Sequence, residues 1–236
     1  MNTHSKLLAG LTSQVGRKIL TGVTGFVLVL FVIGHLSGNL SLLKSDPNAF
    51  NGYARFLHSF GAFVYVIEVL LTLVILTHAY IGISIALRKK EARKQGYEMY
   101  RSKGGQSKQS ISSRTMVYTG TILLIFLVIH IIQFRFGAGI SAGYITTLNG
   151  EEARDLRRLV VEVFQNPGWV AFYVGVMILL GFHLRHGIWS MLQSLGAMRP
   201  RYTPVIYGIA LILGILLAVG FLLLPIWLYI YGGAAV

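Results

Sequence analysis

The sequence predicts an all-α integral membrane fold with five transmembrane helices, and three observations predict it. Of the 236 residues 54% are hydrophobic and 12% charged, with a mean hydropathy of +0.65. A soluble domain of this length carries more charge over its surface. Five stretches reach the ~20 mostly apolar residues that a span requires, at about 18–43, 62–87, 115–136, 169–192 and 205–231. The basic residues flank them: fourteen of the 21 Lys and Arg lie in the N-terminal tail, between Arg88 and Arg114, or at Arg199 and Arg201. These regions share one face if the spans alternate. The positive-inside rule makes that face cytoplasmic, with the N-terminus inside and the C-terminus outside. The expected location is a bacterial cytoplasmic membrane, and five spans in one chain leave a single membrane domain, 1–236. A pI near 10.2 also suits nucleic-acid binding, but charge that brackets spans is a topology signal, so no nucleic-acid partner is expected.

The elements follow in order. Residues 1–16 are polar, with His4 and Lys6 expected on the cytoplasmic surface, and Arg17-Lys18 leads into the first span without a cleavable-signal pattern. That span holds Gly22, Gly25, Gly34 and Gly38, and small residues let membrane helices approach closely. A short outer loop follows, with Asp46-Pro47 as its turn signal and His58 at its end. The second span returns inward carrying Glu68 and His78. The connection from Arg88 to Arg114 is basic and polar, which suits a cytoplasmic loop touching lipid headgroups or a partner protein. The third span runs outward, with His130 near its end. After it, Asn149-Gly150-Glu151-Glu152 reads as a helix start with acids in the first turn. Leu156, Leu159, Val160, Val163 and Phe164 recur at helical spacing, predicting an amphipathic helix over about 151–165 that lies in the membrane interface. Asn166-Pro167-Gly168 ends it. The fourth span goes inward with His183, Arg185 and His186. The fifth has neither histidine nor charge, which assigns it a packing role.

Histidine is rare and costly in hydrocarbon, so His35, His78, His130 and His183, one from each of the first four spans, ask for a common cause. Depth suggests it. At ~1.5 Å per residue, His35 lies roughly 14 Å from Lys44 at the outer end of its span, and His130 about 8 Å from Arg135. On the inner side His78 lies about 15 Å from Arg88 and His183 roughly 20 Å from Gly196. The four divide into an outer pair, His35 with His130, and an inner pair, His78 with His183. Two imidazoles on one iron are only ~4 Å apart, nitrogen to nitrogen, whereas the cross pairings mismatch by roughly 10 Å. The first four spans are thus read as a bundle holding two haem b groups, one per pair. Gly82 and Gly187, four residues after His78 and His183, and Gly38, three after His35, fall on the ligand faces where a flat macrocycle needs missing bulk. Ordinary small-residue packing explains the same glycines. Zinc fits less well, with the histidines at two depths and no carboxylate cluster beside them. The absence of cysteine excludes an iron–sulfur cluster ligated by this chain and covalent c-type haem attachment.

With these residues laid out, the chain resembles the dihaem cytochrome b membrane-anchor subunits of succinate:quinone oxidoreductases (succinate dehydrogenase and fumarate reductase), in the five-helix b558-type class. The resemblance rests on Arg17 before the first span, Gly34-His35-Leu36, His78-Ala79, His130 late in the third span, and His183-x-x-x-Gly187-Ile188-Trp189-Ser190, and runs from about Val15 to Val219. It implies His35 and His130 as axial ligands of the outer haem and His78 and His183 of the inner one, with Arg17 among the cofactor-contacting residues. It also implies a flavoprotein and an iron–sulfur subunit on the cytoplasmic face and menaquinone as the quinone, with assembly of the complex into a higher oligomer left open. This chain would transfer electrons rather than oxidise succinate itself.

Several roles stay open. His186 rivals His183 for the inner iron; the family pattern favours His183 and leaves His186 to meet a haem propionate. Arg185 points away from His183 on helical geometry, as a propionate partner on another face or a side chain snorkelling to the interface. Quinone chemistry needs a proton-exchanging group, and the candidates are Glu68, about 15 Å outward of His78, and His58 in the first outer loop. The alternative readings are a neutral Glu68 hydrogen-bonded between helices and a plain interface histidine. Two other functions compete: a dihaem cytochrome b of another quinone-linked dehydrogenase, of the hydrogenase or formate dehydrogenase type, and a proton-coupled transporter using the histidines as relays.

Overall fold

The computed structural model describes residues 10, 12–91 and 111–232. His4, Lys6 and most of the basic connection between Arg88 and Arg114 lie outside the described residues. The elements run α1 (Gln14–Asn39), α2 (Ala49–His58), α3 (Ala62–Glu91), α4 (Met116–His130), β1 (Ile145–Leu148), β2 (Glu151–Arg154), α5 (Leu156–Phe164), α6 (Pro167–Ser194) and α7 (Thr203–Tyr231). A 3₁₀ turn prolongs α1 to Leu43, and a π turn, Ile131–Arg135, prolongs α4. Among the described residues the fold is all-α but for one small hairpin, and five helices are long and apolar enough to span a bilayer, which makes this a multi-pass membrane protein.

Side-chain placement on these helices reverses that of a water-soluble fold. On α1 the exposed residues Ile19, Val23, Phe26, Val27 and Leu30 form one stripe at helical spacing, while Thr24 is buried. On α4 the exposed stripe is Tyr118, Ile122, Ile125, Val128 and Ile132, and Thr119 is buried. An apolar outside with hydroxyls turned inward is what hydrocarbon as solvent selects, because a polar group facing lipid has no partner.

The chain forms two compact units, to each of which all five long helices contribute. One comprises Met1–Leu30, Leu70–Thr121 and Phe182–Ile215; the other Phe31–Val69, Ile122–Gly181 and Leu216–Val236. In the first unit α1, α6 and α7 approach at small residues. A β-carbon at Gly22 would lie 3.1 Å from Ser194 Cβ, and one at Gly214 would lie 3.1 Å from the Arg185 backbone nitrogen. In the second unit Leu42, Phe50, Val160, Val161, Phe164, Tyr173, Leu224 and Leu228 make one buried cluster.

The second unit corrects three expectations. Asn149-Gly150 does not start a helix. It is the two-residue turn joining β1 to β2, with Asn149 at φ 53° and Gly150 at φ 82°, the positive angles that a type I′ hairpin turn requires and that Asn-Gly supplies. Glu151 and Glu152 are therefore strand residues, and the helix begins only after Asp155, whose carboxylate accepts from the Arg158 N–H at 3.0 Å. Second, the apolar face of α5 does not lie on lipid. Leu159, Val160, Val161 and Phe164 are all buried, the last three in a cluster that includes Leu42, Phe50 and Tyr173. Third, the first outer connection contains α2. Buried Asn51 fastens α2 to α5, donating to Asp155 at 2.8 Å and accepting from the Arg157 N–H at 2.9 Å.

Candidate functional site

The fold brings the four span histidines together in two pairs, one in each unit. In the first unit the rings of His78 on α3 and His183 on α6 have centroids 6.5 Å apart. In the second the rings of His35 on α1 and His130 on α4 are 5.8 Å apart. Two imidazoles bound through one nitrogen each to a common metal have centroids roughly 6 Å apart, given metal–nitrogen bonds of ~2 Å, so both pairs have the spacing that a shared iron demands. All four rings are half-buried.

Residues absent from the sequence reading hold the first pair. The Nδ1 atom of His78 lies 3.1 Å from Thr24 Oγ1 of α1, and that of His183 lies 3.2 Å from Thr119 Oγ1 of α4. The residue after each threonine is a glycine against the same ring: a β-carbon at Gly25 would be 3.4 Å from His78 Cε1, and one at Gly120 would be 3.2 Å from His183 Cε1. A signal for these residues was present. Thr24-Gly25, Phe31 and His35 recur as Thr119-Gly120, Phe126 and His130, every position displaced by 95. His78 with Gly82 and His183 with Gly187 repeat as well, displaced by 105. The α1–α3 hairpin and the α4–α6 hairpin are two copies of one pattern.

Aromatic rings hold the second pair. Phe31 stacks on His35 with centroids 5.4 Å apart and planes 17° apart, and Phe221 of α7 lies 5.8 Å from the same ring. Phe126 lies 5.5 Å from His130. The Tyr173 hydroxyl is 3.4 Å from His130 Nδ1 and donates to Gln133 Oε1 at 2.6 Å. Gln133 belongs to the π turn directly after His130, a local widening found often at functional positions. Arg154 closes that turn, donating to the carbonyls of Phe134 at 3.0 Å, Gly137 at 3.1 Å and Ala138 at 2.9 Å.

The other predicted site residues separate. His183 is the histidine set beside His78, whereas the ring of His186 meets Trp189 edge-on at 4.9 Å. Arg185 is exposed and donates to Ser112 Oγ at 3.3 Å. Arg17 donates to the Thr12 carbonyl at 3.1 Å. Glu68 forms a two-pronged ion pair with Arg135, Nε to Oε1 at 2.8 Å and Nη2 to Oε2 at 3.1 Å. His58 is exposed at the end of α2 and joins neither pair. Gly82 and Gly187 leave open space, since a β-carbon at either would meet nothing within 4 Å. Gly38 has another reason to be glycine: a β-carbon there would collide with the ring of Tyr53.

Among the described residues no cluster of three or more His, Cys, Asp or Glu could hold a bare metal ion. A haem iron asks less of a protein, because the porphyrin supplies four ligands and the chain only two. Two imidazoles at the right spacing, with open glycines on the ligand face of α3 and α6, fit that demand. No protein-family model, curated protein or solved structure matches the chain.

Proposed function

We propose that the chain is a dihaem cytochrome b, the membrane-anchor subunit of a succinate:quinone oxidoreductase, passing electrons between an iron–sulfur partner and menaquinone. The observation that carries this reading is the meeting of four intramembrane histidines as two pairs with ring centroids 6.5 Å and 5.8 Å apart. His78 and His183 would hold one haem, His35 and His130 the other. Each bound haem supplies a one-electron couple. What the chain itself supplies is orientation and exclusion of water: hydroxyls or aromatic rings fix each imidazole, and the lipid-facing stripes seal the helices around them. On the depths read from the sequence, His78 and His183 would hold the haem nearer the cytoplasmic side, where a flavoprotein and an iron–sulfur protein would dock, and His35 and His130 the haem that would serve menaquinone. The Glu68–Arg135 pair serves structure first, since one guanidinium holds both carboxylate oxygens.

The test is a reduced-minus-oxidised optical spectrum with haem quantitation on the protein purified from membranes. The expected result is a b-type α band and two haems per chain, with a succinate-oxidising flavoprotein in the same preparation. Absence of the band sinks the haem reading in favour of proton relay through the histidines. A nickel or molybdenum subunit in place of the flavoprotein would keep the cytochrome and reassign the dehydrogenase.

A further inference from the structure

We propose that Thr24 and Thr119 are positioning residues that set the tautomer of His78 and His183, placing the ring hydrogen on Nδ1 and leaving Nε2 bare as the metal-ligating nitrogen. The inference rests on the haem reading above and adds to it two residues that touch no iron. A hydroxyl has one hydrogen. Thr24 Oγ1 lies 2.8 Å from the Leu20 carbonyl and 3.2 Å from the Thr21 carbonyl, groups that only accept, so its hydrogen is committed to its own helix. What it offers His78 Nδ1 at 3.1 Å is a lone pair, which only an N–H can meet. Thr119 repeats the arrangement, with Oγ1 3.1 Å from both the Thr115 and Met116 carbonyls and 3.2 Å from His183 Nδ1. A neutral imidazole carries a single N–H, so the network assigns it to Nδ1 in both rings.

Two further observations carry the same way. Both threonines are buried, Thr24 at 9% and Thr119 at 4% exposure, where no water competes for the bond. They also hold equivalent places in the 95-residue repeat, each reaching across to the histidine of the other helix in its own hairpin copy, and each is followed by the glycine that admits the ring. A hydroxyl kept only for helix packing has no reason to recur with that partner. An acceptor at Nδ1–H makes Nε2 a stronger donor, which favours the ferric over the ferrous state and lowers the midpoint potential of the iron it binds.

Thr24→Val and Thr119→Val remove the hydroxyl at nearly constant volume, and Thr24→Ser and Thr119→Ser restore it. The readouts are potentiometric titration of the haem α band and electron paramagnetic resonance of the low-spin ferric haems, made on the complex purified from membranes. In either Val variant one haem moves to higher midpoint potential with an altered resonance, the other keeps its wild-type value, and the Ser variants match wild type. Loss of that one haem in the Val variants with retention in the Ser variants also supports the assignment. Unmoved potentials in Val variants that retain both haems overturn it, as does a Ser variant that behaves like its Val counterpart. Those outcomes leave the haem reading standing; a wild-type protein without haem removes both.

Discussion

The His78–His183 and His35–His130 pairs have nearly the same ring separation, 6.5 Å and 5.8 Å, yet different neighbours hold them. In the first, a threonine hydroxyl on a neighbouring helix meets each Nδ1. In the second, Phe31, Phe126 and Phe221 pack on the rings, and one hydroxyl, that of Tyr173, lies near an Nδ1 at the longer distance of 3.4 Å. A stacked ring fixes the plane of an imidazole but says nothing about which nitrogen carries the hydrogen, whereas a hydrogen bond fixes both. Most of the neighbours that differ belong to each histidine's own hairpin copy: Thr24 and Thr119 at the first pair, Phe31, Phe126 and Tyr173 at the second.

The largest test of this comparison removes a ligand. His183→Ala should halve the haem content, abolishing the threonine-held site and sparing the other, and His130→Ala should do the converse. Haem quantitation with redox titration identifies the survivor, and retention of both haems in either variant breaks the pairing. A smaller effect separates the two glycines. Gly120→Ala places a β-carbon 3.2 Å from the His183 ring, tighter than ordinary contact, and should cost about 1–2 kcal/mol in thermal unfolding followed by haem release. Gly25→Ala meets its ring at an ordinary 3.4 Å and should be neutral. Equal effects would mean that the two halves of the site are not packed as described.

The smallest effect concerns only the second unit. Outside the spans, the Tyr144 hydroxyl, which donates to the Glu162 carboxylate, and then Arg158, 2.8 Å away, hold Glu162 below its ordinary range. A carboxylate depressed in the folded state adds stability above its unfolded pKa, ~4.3. That stability is lost as pH falls through the lower folded value. These groups are largely exposed, so the contribution is small. Protection factors of amides around Tyr144, Arg158 and Glu162, taken against the intrinsic exchange rate at each pH, should fall on acidification below the ordinary carboxylate range, while those around Thr24 and Thr119 hold. An equal fall in both regions would refute a local effect.

The spans and the four histidines were legible because hydrocarbon is a stringent solvent: it sets segment length, and it makes a buried imidazole conspicuous. Thr24 and Thr119 were not, since a threonine can satisfy itself on its own helix and draws no attention in a span. Their partners lie 54 and 64 residues away. Only comparison of the chain with itself would have exposed them, through the Thr-Gly, Phe and His positions that recur at one interval. The hairpin failed for another reason. Asn-Gly before two glutamates satisfies the composition of a helix start, and the choice for a strand turn is made by long-range contacts: Arg55 bonds the Leu148 carbonyl at 2.7 Å and pairs with Glu151. The apolar stripe of α5 was legible as a stripe, but its period carries no information on whether lipid or protein covers it.

The duplicated hairpin has a consequence for how such a molecule can arise and be dissected. On the haem reading proposed above, one copy would offer a single imidazole to each iron and complete neither position. Two copies, whether fused in one polypeptide or associated as separate chains, would close both positions at once. Cofactor capture would then be a property of the partnership between halves, and co-expressed fragments cut between α3 and α4 would regain it together or not at all.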